Sequence, residues 1–361
     1  MDDAQVFAEK VFERLLGGFE ILSIYVGDRL GLYRALGEGP RTADELAGAT
    51  GMHPRYAREW LEQQTVAGIL TVDGDAFALP EAQARVLSDP TSLLFCAPLA
   101  RMMVAAATRL PDLLTAYRAG GGVSWAQFGA DARDAQGDIN RPWFTQELSP
   151  ALASVPALHA VLSRPGARIA DVGCGHGWST LALAAAYPAA RVEGFDVDAP
   201  SIEAARTHAA EAGAAGAVSF TLLDGERLDD GREGAFDAAF VFEALHDMPD
   251  PVAVLSAMRR ALVPGGVVVV MDEAVADAFA APAEPPGDGI ERVMYGYSLF
   301  LCLPDSLSTP GSVGTGTVMR RPTLERYASE AGFASVEVLP IDDFAAFRFY
   351  ALTPQGAGTV S

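Results

Sequence analysis

The sequence predicts an α/β protein in which a doubly wound, mainly parallel sheet follows a helical N-terminal region. Three observations carry this. Beyond Pro165-Gly166, apolar strand-like runs alternate with stretches of helical periodicity, the pattern of a parallel sheet covered on both faces. The first of those runs, Arg168-Ile169-Ala170-Asp171-Val172, enters a glycine-dense turn ahead of an Ala/Leu-rich helix. Such a strand–loop–helix unit suits an anionic or nucleotide ligand at a helix N-terminus. Ahead of Pro165, apolar residues recur at helical spacing, interrupted by a single hairpin signature.

The first stretch, residues 6–36, places Val6, Phe7, Val11 and Leu15, then Phe19, Leu22, Val26, Leu30 and Tyr33, on helical faces. Two helices are expected, separated at Gly17-Gly18. So long an apolar face packs either against a second subunit or into its own domain, and the sequence leaves both open. Thr42 and Glu45, three apart, make a capping-box start, and a second helix opens at His53-Pro54. Residues 68–79 alternate around Asp73-Gly74, a hairpin signature. Helix, turn, helix and hairpin outline a winged helix over residues 1–90. Those residues hold 8 Lys and Arg against 15 Asp and Glu, the wrong sign for a DNA-reading face.

Residues 91–164 read as helices with breaks: one over 99–114, a flexible elbow at Gly120-Gly121-Gly122, and another helix entered through Asn140-Arg141-Pro142-Trp143-Phe144. Strands are expected over 168–173, 191–196, 218–223, 236–242 and 267–272, with helices between them. Val267-Val268-Val269-Val270-Met271 is apolar throughout and belongs in the sheet interior. Residues 274–289, rich in Ala, Pro and acidic side chains, read as a flap over a cleft or a plain surface linker. A helix over 290–301, a Gly/Ser/Thr loop over 306–317, a helix over 323–331 and strands over 336–339 and 344–352 complete residues 165–361.

The glycine turn narrows the ligand. A dinucleotide fingerprint counted from Gly173 needs a third glycine at 178, where the chain has Trp178. The pattern is instead Asp171-x-Gly173-x-Gly175-x-Gly177, with Cys174 between the first two glycines. A carboxylate before the turn suits a ligand with an ammonium group. This resembles motif I of the class I S-adenosylmethionine (SAM)-dependent methyltransferases, and the whole layout resembles their small-molecule O-methyltransferases with an N-terminal winged-helix domain. The resemblance implies a seven-stranded, Rossmann-like methyltransferase sheet, SAM as cofactor and S-adenosylhomocysteine (SAH) as product. It also implies that residues 91–164 roof a substrate cleft and that the N-terminal helices form a homodimer.

Asp196 ends the second strand 19 residues beyond Gly177, placed to accept from ribose hydroxyls, with Val197 beside it and Asp198 as the fallback. Asp224-Gly225 ends the third strand, where the family has an acidic residue facing adenine. Phe242-Glu243 closes the fourth strand. The following Leu245-His246-Asp247-Met248 resembles the family's Leu-His-Asp-Trp segment, whose histidine is the general base. That role passes to His246, with Met248 departing from the family tryptophan. Glu273 and Glu291 are the candidate orienting carboxylates, with Asp272 as an adjacent option. Asn140, Trp143, Phe144, Tyr295 and Tyr297, together with His246, are candidate substrate contacts. Ordinary core packing explains the aromatic ones equally well.

The totals bound the rest. The 361 residues are 50% hydrophobic and carry net charge −21, a composition for a soluble globular chain that repels nucleic acid and anionic membranes. Cys96, Cys174 and Cys302 lie far apart and form no CxxC pair, which fits a reducing cytoplasm. No signal peptide or membrane span is expected. His53, His159, His176 and His208 are scattered, and no metal is expected from the spacing of His, Cys and acidic residues.

Overall fold

A computed structural model describes residues 2–283 and 289–354. The chain forms two compact units. One comprises Met1–Ala107 and Asp134–Pro142, the other Thr108–Arg133 and Trp143–Ser361. Residues 91–164 are therefore divided between the two.

In the first unit, α1 (Asp3–Arg29) is one continuous helix, capped by the Asp2 side chain accepting from the Ala4 N–H. The expected break at Gly17-Gly18 is absent. Each interior glycine costs about 1 kcal/mol relative to alanine, too little to interrupt a helix of this length. The chain turns instead at Gly31, whose φ of 67° is in the left-handed region. Beyond it lie α2 (Leu32–Gly37), α3 (Ala43–Thr50) and α4 (Pro54–Val66). The Thr42/Glu45 capping box that opens α3 is formed. Strands β1 (Thr71–Asp73) and β2 (Ala76–Ala78) pair antiparallel around Gly74, completing the winged-helix outline. Leu32, Leu46 and Leu61 are fully enclosed, and Tyr33 packs edge-on against Trp60 at 5.3 Å.

The second unit holds a seven-stranded sheet of β3 (Arg168–Val172), β4 (Arg191–Asp196), β5 (Val218–Leu222), β6 (Phe236–Phe242), β7 (Leu262–Glu273), β8 (Phe333–Val338) and β9 (Phe347–Pro354). The order is β5-β4-β3-β6-β7-β9-β8; β3 to β7 are parallel, and β9 runs antiparallel to both β7 and β8. Strand order reverses between β3 and β6, so the crevice beyond their C-terminal ends is the switch point where such sheets bind ligands. Cores fill both faces. Leu183, Ile202 and Phe349 belong to one, Leu255, Met258 and Leu324 to the other. Val267 to Met271 are each at most 1% exposed, and each buried side chain of this size stabilises by about 1.5–3 kcal/mol.

Four local expectations need correction. The stretch expected as one helix over 99–114 is two, Ala97–Thr108 and Leu110–Ala119, with Pro111 at the second helix's start. The helix expected to begin near residue 142 is already running: Ala130–Gln146 carries Pro142 inside it. The helix expected over 290–301 is α-helical only over Gly289–Tyr297, passes through a π-helical turn at Ser298–Cys302, and resumes over Leu303–Leu307. The glycine elbow is pinned rather than loose. Val123 N–H donates to Pro304 O at 3.0 Å, and Trp125 N–H donates to Asp305 Oδ1 at 2.6 Å. Part of the expected flap, residues 284–288, lies outside the described residues.

Candidate active site

The crevice beyond β3, β4 and β6 has two parts. The first is the glycine turn. Gly173 has φ 75°, and a Cβ there would lie 2.7 Å from Ala244 Cβ; Gly177 has φ 79°, and a Cβ there would meet Ala205 and the Phe220 ring at 2.8 Å. Backbone conformation and space therefore both require glycine at these two positions. Gly173 N–H and Cys174 N–H donate to Phe195 O, which ties the turn to β4. The Cys174 side chain is core, and burial pushes its thiol well above the ordinary value, so only its backbone can face a ligand.

Asp171 is fully buried and accepts from the Ser179 and Thr180 hydroxyls at 2.6 Å each, through Oδ2. Burial, only partly offset by those two bonds, lifts its carboxyl to about 6. Asp171 Oδ1 has no hydrogen-bond partner. Asp196 accepts one backbone N–H on each oxygen, Gly175 on Oδ2 and Asp198 on Oδ1, both at 2.8 Å. Each carboxylate oxygen can accept a second donor, so Asp196 keeps capacity for two hydroxyls. Val197 is exposed beside it. Asp198 caps the helix Ala199–Glu211 and is held by Arg133 in a two-point pair at 2.7 and 2.8 Å. Sequence reasoning missed Arg133, which is 65 residues from its partner. Asp224 is exposed and caps the 3₁₀ turn Gly225–Arg227, while Gly225 is buried against Val172 and Val254.

The second part is a charged cluster under the ends of β6 and β7. Phe242 is buried, and Glu243 follows it with φ 48°, a left-handed conformation costing a non-glycine residue about 1–3 kcal/mol. That kink delivers the 3₁₀ turn Leu245–Asp247. His246 is 2% exposed. Its Nδ1 lies 3.0 and 3.1 Å from the two Asp272 oxygens and 3.4 Å from Glu273 Oε2, and its Nε2 lies 3.4 Å from Asp247 Oδ1. Burial alone would lower the imidazole; the charges of Asp272, Glu273 and Asp247 outweigh it and hold His246 well above 6.5. With carboxylate oxygens facing both ring nitrogens, the doubly protonated imidazolium is the form that fits. Asp272 is correspondingly held below its usual range despite burial, whereas burial drives Glu273 well above its own.

Of the three candidate carboxylates, Asp272 is nearest the imidazole, and Glu273 is next. Glu291 pairs with Arg320 Nη1 at 3.2 Å and accepts from Ala276 N–H. Tyr295 Oη accepts from Arg320 Nη2 at 3.0 Å. Tyr297 is half-buried in the last turn before the π-helical segment. Trp143 and Phe144 pack against Phe344, with Phe144 also edge-on to Phe242, so both sit in the aromatic core of the second unit. Asn140 belongs to the first unit. The Ser306–Thr317 loop closes on the histidine turn, as Gly316 N–H donates to His246 O and Val313 N–H to Pro249 O.

Cys302 and Asp305 join the cluster from the π turn and the helix after it, which no sequence spacing announced. Burial and the Asp247 charge lift the Cys302 thiol to about 12 and the Asp305 carboxyl to about 7. Two sets, His246/Asp247/Cys302 and His246/Asp272/Glu273, each gather potential ligand atoms within 4.8 Å of one another. Spacing along the chain hid both. Each set shares His246, whose imidazolium supplies the positive charge these carboxylates need.

A seven-stranded sheet in this order, with a glycine turn after β3 and an acidic residue at the end of β4, has the methyltransferase fold. Residues 169–266 match the family described as a methyltransferase domain, and residues 19–89 match the Rv2258c-like winged HTH domain. Residues 169–266 thus form a methyltransferase domain, behind an N-terminal winged HTH domain. Its sequence is 37% identical over 103 residues to the ubiquinone biosynthesis O-methyltransferase of Idiomarina loihiensis, covering 28% of this chain and 41% of that one. It thus spans less than half the length of the curated relatives it matches. Over nearly the whole chain the fold is similar to the mitomycin 7-O-methyltransferase MmcR, with TM-score 0.73, 22% identity, and 97% of this chain and 99% of that one covered. It is also similar to PigF with SAH, with TM-score 0.70, 17% identity, and coverage of 96% and 98%. Among the described residues no helix is long and apolar enough to cross a membrane.

Proposed function

We propose that this protein transfers a methyl group from SAM to a hydroxyl of a small molecule, and that His246 handles the acceptor's proton. The observation that carries this reading is the His246–Asp272 pair, buried at the strand ends beside the glycine turn. The names of the relatives, two of them O-methyltransferases, support a hydroxyl acceptor.

The residues present fit the cofactor. Asp171 Oδ1 is a buried acceptor without a donor, and Asp196 retains accepting capacity on both oxygens. The Gly173–Gly177 backbone and Asp171 would hold the methionine part, Asp196 the ribose hydroxyls, and Asp224 the adenine side. When bound, SAM supplies a methyl group activated by its positive sulfonium. The chain contributes alignment, exclusion of water and a proton acceptor.

The carboxylates around His246 make it a strong base, mostly protonated in the free protein. Its neutral form takes the acceptor proton at Nε2, while Asp272 holds Nδ1–H and stabilises the imidazolium that results. Entry of an already ionised acceptor beside the imidazolium gives the same arrangement. Because the pKa of His246 is raised, the neutral base becomes more abundant as pH rises. kcat/KM for a phenolic acceptor should therefore increase from about pH 6 towards pH 9, with no falling limb from His246 in that window.

The partner and location belong to the same proposal. Phe7, Phe12 and Phe19 on α1 are each more than half exposed, an apolar face suited to a second copy of this chain. A cytoplasmic homodimer without nucleic-acid partners fits the acidity and the unpaired cysteines.

The test is transfer of labelled methyl from SAM into panels of phenols, carboxylic acids and amines, with the label then located. Replacement of His246 by alanine should lower turnover by about 10²–10⁴. Unchanged turnover would remove His246 from the mechanism and favour an amine or an acidified carbon as acceptor.

A further inference from the structure

The turn that carries the chain out of β4, Asp196-Val197-Asp198, is tied down by polar contacts. Val197, its middle residue, is 67% exposed, so burial does not fix it. Asp198 N–H donates to Asp196 Oδ1 at 2.8 Å, which makes the place of the Asp196 carboxylate depend on the backbone at 198. The Asp198 side chain in turn accepts from the Ser201 N–H and hydroxyl at 3.0 and 2.7 Å, both on Oδ2.

Arg133 completes the arrangement from near the start of the helix Ala130–Gln146. Its Nε and Nη2 reach one Asp198 oxygen each, and the two side chains are only 12% and 11% exposed. A cation at the N-terminal end of a helix gains nothing from the helix dipole, so the contact with Asp198 is what this position supplies. A two-point guanidinium–carboxylate pair fixes direction as well as distance, which a point charge does not. Burial alone would raise the Asp198 carboxyl; the bonds from Arg133 and Ser201 outweigh it and hold the group below its usual range. Asp198 therefore stays ionised, and it cannot swing away without stranding a largely buried guanidinium. Burial, and then the Asp198 charge, lift Asp196, and a guanidinium on Asp198 opposes the second of these.

We infer that Arg133 is a positioning residue for the cofactor: through Asp198 it holds the Asp196 carboxylate where the ribose hydroxyls would meet it. The inference rests on the reading of the glycine turn and Asp196 as a SAM site. Arg133 acts at one remove, and its influence on SAM passes through Asp196.

Calorimetric titration of the full chain with SAM tests it. Arg133→Ala should raise the SAM dissociation constant about tenfold. Arg133→Lys keeps the charge without the fork and should recover part of that loss, to about threefold above the parent. On an Asp196→Ala background, Arg133→Ala should change affinity by less than about twofold, because the group it positions is gone. Should Arg133→Ala fail to fold, as judged by thermal unfolding, Arg133→Lys carries the same comparison on both backgrounds. A parent chain that binds no SAM removes the cofactor reading together with this inference. Binding by the parent with unchanged affinity in Arg133→Ala removes the inference alone. So does an equal loss on both backgrounds, the result of a direct contact with the cofactor or of general loosening of the fold.

Discussion

The glycine turn and the histidine cluster face the same crevice but are built in opposite ways. The turn takes its geometry from backbone, and its side chains are paired one by one: Asp171 with two hydroxyls, Asp196 with two N–H groups. The cluster gathers His246, Asp272, Glu273, Cys302 and Asp305 from three separate stretches of chain and leaves several ionisable groups far from their ordinary values. A preformed backbone cradle suits binding, and a concentration of desolvated charge suits chemistry. The comparison teaches that affinity for the cofactor and the rate of transfer should be separable by mutation.

The largest effect should come from the cluster. Asp272→Asn removes the principal countercharge of His246 and should reduce turnover by about 10²–10⁴ while SAM affinity by calorimetry stays within about twofold. A comparable loss of SAM affinity would break the separation. In the cradle, Asp196→Ala should raise the SAM dissociation constant about 10–100-fold and leave turnover at saturating SAM nearly unchanged.

Two smaller effects sharpen the contrast through stability. Gly177→Ala forces a side chain into a left-handed backbone against Ala205 and Phe220, and should lower stability to urea by about 1–3 kcal/mol. Asp305→Asn should act the other way, and only at high pH. Asp305 titrates near 7 in the folded chain against 3.8 unfolded, so the folded state holds the extra proton between those values. Stability linked to that proton is present below about pH 4 and is lost as pH rises through 7. Asparagine keeps an acceptor for Trp125 N–H without the charge, so the variant should gain about 1–2 kcal/mol at pH 8 and almost nothing at pH 4. Thermal unfolding at both values checks it.

The two regions also differ in how much of them could be read from the sequence. Asp171, Gly173, Gly175 and Gly177 are chain neighbours, and Asp196 follows at the spacing of one strand–helix–strand unit, so the cradle was legible. His246 was legible as a motif, but its partner was not. Choosing between Asp272, Glu273 and Glu291 requires knowing how β7 ends and where the following helix lies. Asp272 makes the closest contact, Glu273 stands 3.4 Å away, and Glu291 is engaged by Arg320. Aromatic residues were ambiguous for the reason given at the outset: Trp143 and Phe144 look alike as core or as pocket, and the structure packs them with Phe344. Gly17-Gly18 misled because glycine punctuates chains on average, while a 27-residue helix carries two without breaking.

The π turn at Ser298–Cys302 makes chain length a control on the cluster. A π turn is a helix holding one residue more than an α-turn accommodates. Deleting a single residue there would let the helix close to ordinary geometry and rotate everything beyond it by about 100° around the axis. Asp305 and Pro304 would then swing away from the Gly122–Trp125 arm they now hold, although no functional side chain had been altered. Helix length at that point therefore sets the place of Asp305 as directly as a substitution would.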